Sequence, residues 1–419
     1  MRLLLFIIGI LFSFEIAAQG HFSRQNSKLL KQVFSKGSTT FRQVIDSPAK
    51  FKYQIIYTQI DRNKSGKASV KSHYFNYNKK QYLYPASLVK LPVSLMALQK
   101  IETLQKLHVN AKTPMLNLKG DSCQTTALID SSQQNFYPCL EGYIKKMMLA
   151  SDNDAYNRTY EFLGYDYIQK NLKKKKFKKA RIVQRLAIPC SEVSNLCTNP
   201  VCFVNNSDTL IKQPVQKAKR RRHNPYGKVY MGQKYYNAKN EFIENPRPFY
   251  YNNFLPIDEL KDVIVQIYFP ELFSKKNRFS VSDSNLNLLR KYMGMWPSEC
   301  TYPTYTLPDN FKKYILLGDG RNMPENSDIR IFNVVGRAYG VIADCAYIVD
   351  FKNKVDFFIS AILYTNNDEI LNDNKYEYDA LGLPFLSELG TMLYNYERNR
   401  KREFSSDFKE LKNLYTPQK

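Results

Sequence analysis

Apolar positions along the chain follow two periods. Residues 52–60, Lys52-Tyr53-Gln54-Ile55-Ile56-Tyr57-Thr58-Gln59-Ile60, and residues 68–77 flank the turn cluster Asp61-Arg62-Asn63-Lys64-Ser65-Gly66 and predict a hairpin. The apolar run over 354–364 predicts another strand. Elsewhere the period is helical. Leu29, Leu30, Val33 and Phe34 mark a helix within 24–47, and Leu88, Leu91, Leu95 and Leu98 mark a second, continuing over 92–105. Leu383, Phe385, Leu386, Leu389 and Leu393 mark a closing amphipathic helix over 379–400. Further helices are expected at 141–150, 155–172, 256–270 and 283–294, with a loop-rich stretch at 106–140. The basic run from Lys173 to Lys179 reads as a solvated surface.

The first residues break this pattern. Arg2, an apolar run over 3–14 and the small residues Ala17-Ala18 read as an export signal of residues 1–18. The run is shorter than the roughly 20 residues a membrane span needs. The mature chain is therefore expected to be periplasmic or secreted. Its 43% hydrophobic and 14% aromatic residues argue for a folded protein rather than disorder. A net charge of +24 fits either attraction to an anionic cell-envelope surface or a compositional bias of solvated lysines; export argues against nucleic acid as a partner. Seven cysteines allow disulfides in an oxidising compartment but leave at least one unpaired. Cys123 and Cys139 could close a loop; Cys190, Cys197 and Cys202 crowd one segment, without histidines at zinc-site spacing. No metal or cofactor is expected.

Candidate chemistry gathers at Tyr84-Pro85-Ala86-Ser87-Leu88-Val89-Lys90. Ser87 and Lys90 share a helix face, where a desolvated lysine can take the serine proton and make a nucleophile. Spacing alone does not select this pair, since Ser47/Lys50 and Ser406/Lys409 share it. Ser151-Asp152-Asn153, which occurs once, does select it. The four histidines, His21, His73, His108 and His223, stand in no triad context, which sets aside a histidine-based hydrolase.

Ser-x-x-Lys followed by Ser-Asp-Asn resembles the signature of class A β-lactamases and related penicillin-binding enzymes. Ser151-Asp152-Asn153-Asp154-Ala155-Tyr156-Asn157, followed by Glu161-Phe162-Leu163-Gly164, extends the resemblance to about residue 195, and it resumes near 330. It implies an α+β, β-lactamase/transpeptidase-like fold: an antiparallel sheet of about five strands flanked by terminal helices, plus a helical half. The sheet half would span 19–80 and 330–419, and the helical half 81–329 with an insertion at about 200–300. It also implies roles. Ser87 would attack the carbonyl, Lys90 would be the base, Ser151 would relay a proton, and Asn153 would bind the substrate's side-chain amide. An omega-loop glutamate would activate the deacylating water; Glu192, followed by Asn195, is the candidate, one residue short of the family spacing.

The third motif departs from the family. Ile331-Phe332-Asn333-Val334-Val335-Gly336-Arg337 keeps the glycine of Lys-Thr-Gly, but Val334 and Val335 stand at the lysine and threonine positions. The N–H of Arg337 would complete an oxyanion hole with that of Ser87, and its side chain is the available substitute for the lost charge. The expected function is a secreted serine hydrolase forming an acyl-enzyme with a β-lactam. The alternatives are a D-alanyl-D-alanine peptidase-like enzyme, or an envelope penicillin-binding protein with impaired catalysis, motivated by Val334, the insertion and the basic charge.

Overall fold

The structure is a computed structural model and describes residues 26–205, 208–321 and 328–415. The proposed export signal lies outside the described residues. Two short helices, α1 (Lys28–Phe34) and α2 (Thr39–Ile45), replace the single helix expected over 24–47. They part at Gly37-Ser38, where the Ser38 hydroxyl accepts the Phe41 N–H and caps α2.

The hairpin strands are β1 (Gln54–Arg62) and β2 (Ala68–Phe75). Three more strands come from the C-terminal part: β3 (Ile329–Ala338), β4 (Val341–Asp350) and β5 (Val355–Tyr364). They form one antiparallel sheet in the order β3-β4-β5-β1-β2, so the chain's two ends meet at the β5–β1 pair. This is the five-stranded α+β sheet that the resemblance implies. Every residue of β4 and β5 is buried, so neither alternates between apolar and polar.

Alternate side chains divide between two cores. On one face Ile55, Tyr57, Ile342, Ile348 and Phe357 pack with the terminal helices. Those are α1, α2 and the closing helix α9 (Leu383–Asn399), preceded by a π-turn at Tyr378–Gly382. On the other face Ile56, Ile60, Cys345, Tyr347 and Phe358 pack with the helical half. That half is built from α3 (Lys90–Glu102), α4 (Leu140–Leu149), α5 (Asn153–Leu163), α6 (Tyr165–Lys174), α7 (Ile257–Tyr268) and α8 (Asp283–Gly294). The single helix read over 155–172 is two, because Gly164 takes φ 79° between α5 and α6. Both α7 and α8 contribute buried residues to the core of the helical half. The irregular stretch 201–255 forms a hairpin, Val201–Asn205 with Asp208–Gln213, then short paired pieces. Its Phe249 and Phe254 pack on Tyr82 and Tyr84, in the segment leading to Ser87.

Candidate active site

Ser87 sits in a 3-10 turn, Ala86–Val89, that runs directly into α3. From Tyr82 to Leu98 it is the one residue not buried. A strained residue and one close approach mark the turn. Ala86 adopts the left-handed region at φ 47°, a strained conformation for a residue with a Cβ. Gly336 of β3 lies against the turn so tightly that a Cβ there would stand 2.6 Å from the Pro85 carbonyl oxygen. The glycine kept in the third motif is therefore required by this contact.

The Ser-Asp-Asn triplet begins α5, and each member has a different job. Asp152 is the N-cap, its carboxylate accepting the Ala155 N–H at 2.7 Å. Ser151 is held at φ 54°, also left-handed, which turns both its oxygens toward Lys90. Asn153 opens the helix and presents its Oδ1 to the same lysine.

The two motifs meet at one atom. The Lys90 Nζ lies within hydrogen-bond distance of four oxygens, Ser87 Oγ at 2.7 Å, Ser151 Oγ at 3.0 Å, Ser151 O at 2.5 Å and Asn153 Oδ1 at 2.8 Å, which its N–H groups share. These acceptors are neutral, so they offset the lost hydration of the ammonium only in part. Burial, with the nearby positive charge of Lys312, pulls the Lys90 pKa down to about 7, against the opposing pull of Asp152. A lysine in that range can accept a proton at neutral pH.

The look-alike pairs have no such setting. The Ser406 hydroxyl is committed to Asp356 at 2.8 Å, and Ser47 precedes a short turn, Pro48–Phe51.

Glu192 stands apart from this cluster. Its side chain is 62% exposed and ion-paired with Arg221, and its charge is not among those acting on Lys90. What α5 grips in the 181–197 loop is Leu186. Asn157, one helical turn beyond Asn153, donates Nδ2 to Leu186 O at 3.0 Å and accepts Leu186 N–H at 2.8 Å. Leu186 itself is buried, so an apolar residue stands where the loop meets the motif helix. Glu192→Gln is expected to leave both acylation and deacylation rates within about 2-fold of wild type; a drop of 10-fold or more in deacylation would show that the loop rearranges to bring it in.

The loop is held from below. The Arg185 guanidinium donates to Glu161 Oε1 at 2.5 and 3.0 Å and to Cys197 O at 2.7 Å, with both charged side chains 0% exposed. Glu161 also accepts Asn199 N–H and the Ser122 hydroxyl. A disulfide joins Cys123 to Cys190, with the Cα atoms 5.5 Å apart. The Cys123–Cys139 loop considered from sequence does not form. Cys139 is instead the N-cap of α4, its sulfur accepting the Gly142 N–H.

On β3, Val334 packs with the core that contains Ala86 and Leu88, and Val335 with the terminal-helix core. Arg337 is exposed, and its guanidinium lies over the Tyr378 ring at 5.3 Å. Being one residue out of phase with Val334 and Gly336, it faces away from the cleft side of the strand. Two features escaped the sequence reading: Lys312 beside Lys90, and the Asn157–Leu186 grip. Lys312 gives no signal among so many lysines, whereas Asn157 was visible as the asparagine four residues beyond Asn153. Among the described residues, no group of His, Cys, Asp and Glu gathers in a metal-holding arrangement.

Residues 38–209 match a family described as the beta-lactamase enzyme family. A search of curated proteins finds no match. Solved structures with some likeness include a class A beta-lactamase from Bacteroides cellulosilyticus DSM 14838, at 13% identity and TM-score 0.48, covering 86% of this chain and 98% of that one. A beta-lactamase from Sphaerobacter thermophilus DSM 20745 has 11% identity and TM-score 0.46, covering 87% of this chain and 98% of that one. A structure of L2 complexed with relebactam has 10% identity and TM-score 0.45, covering 87% and 97%. What the comparisons show is a similarity over residues 38–209 to the beta-lactamase enzyme family.

Proposed function

We propose that this protein is an exported serine enzyme that opens β-lactam amides through an acyl-enzyme on Ser87. The observation that carries the reading is the Lys90 amine bonded at once to Ser87, Ser151 and Asn153. Neutral Lys90 takes the Ser87 hydroxyl proton as Oγ attacks the lactam carbonyl. The oxyanion forms against the N–H groups of Ser87 and Arg337. Ser151 passes a proton to the ring nitrogen as the C–N bond breaks, leaving an ester on Ser87. Asn153 binds the side-chain amide of the substrate. The Cys123–Cys190 bridge agrees with export to an oxidising compartment, and the +24 charge with attraction to an anionic envelope surface.

The acylation rate has a stated pH dependence. The base must be neutral, so kcat/KM for acylation should climb with pH and level off above a midpoint near 7, the pKa of Lys90. A midpoint above about 9, near an ordinary lysine, would contradict Lys90 as the base.

Hydrolysis needs a second step, and here a specific observation favours slow turnover. With Glu192 facing Arg221 and buried Leu186 at the motif helix, no glutamate of the loop is directed at the ester. A chromogenic cephalosporin measures both steps. A burst of about one equivalent followed by slow release supports acylation with weak deacylation. Steady turnover without a burst supports a full hydrolase. Neither burst nor turnover would overturn the reading and favour the alternatives, beginning with D-alanine release from an acyl-D-Ala-D-Ala peptide.

A further inference from the structure

The loop that brings Leu186 to α5 is held in an uncommon way. From Val183 to Leu186 the chain lies in no helix or strand, yet each of these N–H groups donates to the side-chain oxygen of an asparagine. Val183 and Gln184 donate to Asn253 Oδ1 at 2.7 and 3.1 Å, Arg185 to Asn195 Oδ1 at 2.9 Å and Leu186 to Asn157 Oδ1 at 2.8 Å. All three asparagines are buried, Asn253 with 0% of its surface exposed. An amide oxygen carries two lone pairs, so Asn253 satisfies both of its donors. Without that side chain two backbone N–H groups would lose their partner.

Asn253 belongs to the distant stretch 201–255, and its neighbourhood also reaches the nucleophile's lead-in. Its own carbonyl oxygen accepts the Tyr82 hydroxyl at 2.9 Å. Beside it, Asn252 Nδ2 donates to Gln184 Oε1 at 3.0 Å, while Gln184 Nε2 donates to the Tyr84 hydroxyl at 3.0 Å. Phe254 exchanges both backbone hydrogen bonds with Arg181, each at 2.7 Å. Residues 252–254 therefore tie the loop at 181–184 to Tyr82 and Tyr84, just ahead of Ser87. At its other end the loop is tied to α5 by Asn157, one helical turn from the Asn153 that meets Lys90.

We propose that Asn253 is a positioning residue for the acyl-enzyme: it fixes the loop so that Leu186 covers the ester on Ser87 and keeps water from it. The proposal rests on the acyl-enzyme reading above. Deacylation needs that water. Its oxygen bonds to the acyl carbon, the bond from that carbon to Ser87 Oγ breaks, and Oγ regains a proton. An apolar side chain held between the loop and α5 supplies no base for the water and takes up its space. Anchoring at successive amides leaves the loop little freedom to open locally. Asn253 acts at a distance from the ester, through Val183 and Gln184 to Leu186.

The test follows a penicillin adduct by intact mass. Its growth gives the acylation constant, and its decay after free penicillin is removed gives the deacylation constant. For Asn253→Ala acylation should stay within about 3-fold of wild type, while deacylation speeds up by about 5- to 50-fold. Asn253→Asp keeps an acceptor for both N–H groups and should return both constants to within about 3-fold of wild type. Hydrogen exchange in peptides spanning 182–187 should quicken in Asn253→Ala and slow again in Asn253→Asp. Should Asn253→Ala not fold, Tyr84→Phe decides: it cuts only the Gln184 tie and should speed deacylation by about 2- to 10-fold. Deacylation that is unchanged or slower in the folded variant, or acylation and deacylation falling together, would overturn the role of Asn253 while leaving acylation at Ser87 standing. A wild-type protein that consumes penicillin without accumulating an adduct would overturn the covering role alone. One that neither forms an adduct nor consumes penicillin would end the functional reading and this role with it.

Discussion

Ser87→Ala is expected to leave no covalent adduct with a penicillin, and Lys90→Met to slow acylation by about 10²- to 10⁴-fold. The two losses differ in kind. Removing Oγ removes the atom that forms the ester, so no amount of time restores the adduct. Removing the amine leaves the nucleophile but takes away its base, which is worth about the stated range. Lys90→Met also strips the shared donor from Ser87, Ser151 and Asn153, so their relative positions are no longer tied to one atom. Ser47→Ala and Ser406→Ala serve as controls, since neither serine has a Ser-Asp-Asn partner. Both should acylate at the wild-type rate. Acylation of Ser87→Ala at an unchanged rate would remove the serine from the mechanism.

The second large effect falls on stability. Glu161→Gln should lower the unfolding free energy by about 3–5 kcal/mol, because it strands the Arg185 guanidinium in a fully buried site. Glu161 takes the Arg185 guanidinium on Oε1, together with the Ser122 hydroxyl, and the Asn199 N–H on Oε2. A neutral amide cannot accept at every one of these places, since half of its head is a donor. Replacing both partners, Glu161→Leu with Arg185→Met, should cost less than the single change, as no buried charge is then left unpaired. Urea unfolding of the three proteins measures this. A single-variant loss under about 1 kcal/mol would show that water reaches the pair. The loop that Arg185 anchors also carries Leu186 to α5, so loosening it should disturb the site as well as the fold.

The sheet's first hairpin and the helix after Ser87 were legible because their patterns are local. The hairpin 52–77 and the helix after Ser87 write their periodicity into a dozen residues each. The pairing of β5 with β1 was not readable from pattern, since strands about 300 residues apart carry no mutual signature; it came from the family resemblance. Boundaries failed where one residue decides them. Gly37 and Gly164 split helices that leucine and aromatic spacing had joined. The meeting of Ser87, Lys90, Ser151 and Asn153 was foreseeable because two motifs of fixed spacing converge on one atom. Glu192 was chosen on spacing to an asparagine, and its charge is taken by Arg221 from the long stretch 201–255, which no local pattern could reveal. Cys190 was paired by three-dimensional proximity rather than by sequence distance, and Cys139 was spent on capping a helix. Lys312 is the clearest case. It is one of 62 lysines and arginines, and what distinguishes it is a place in space rather than a place in the sequence.

The most direct test of an acyl-enzyme at Ser87 is the intact mass of the protein after incubation with a penicillin, followed by peptide mapping. A gain of one whole penicillin, located on the peptide that contains Ser87 and lost when the protein is Ser87→Ala, is the result this account predicts. An adduct on any other residue, or no adduct while the penicillin is consumed, would contradict it.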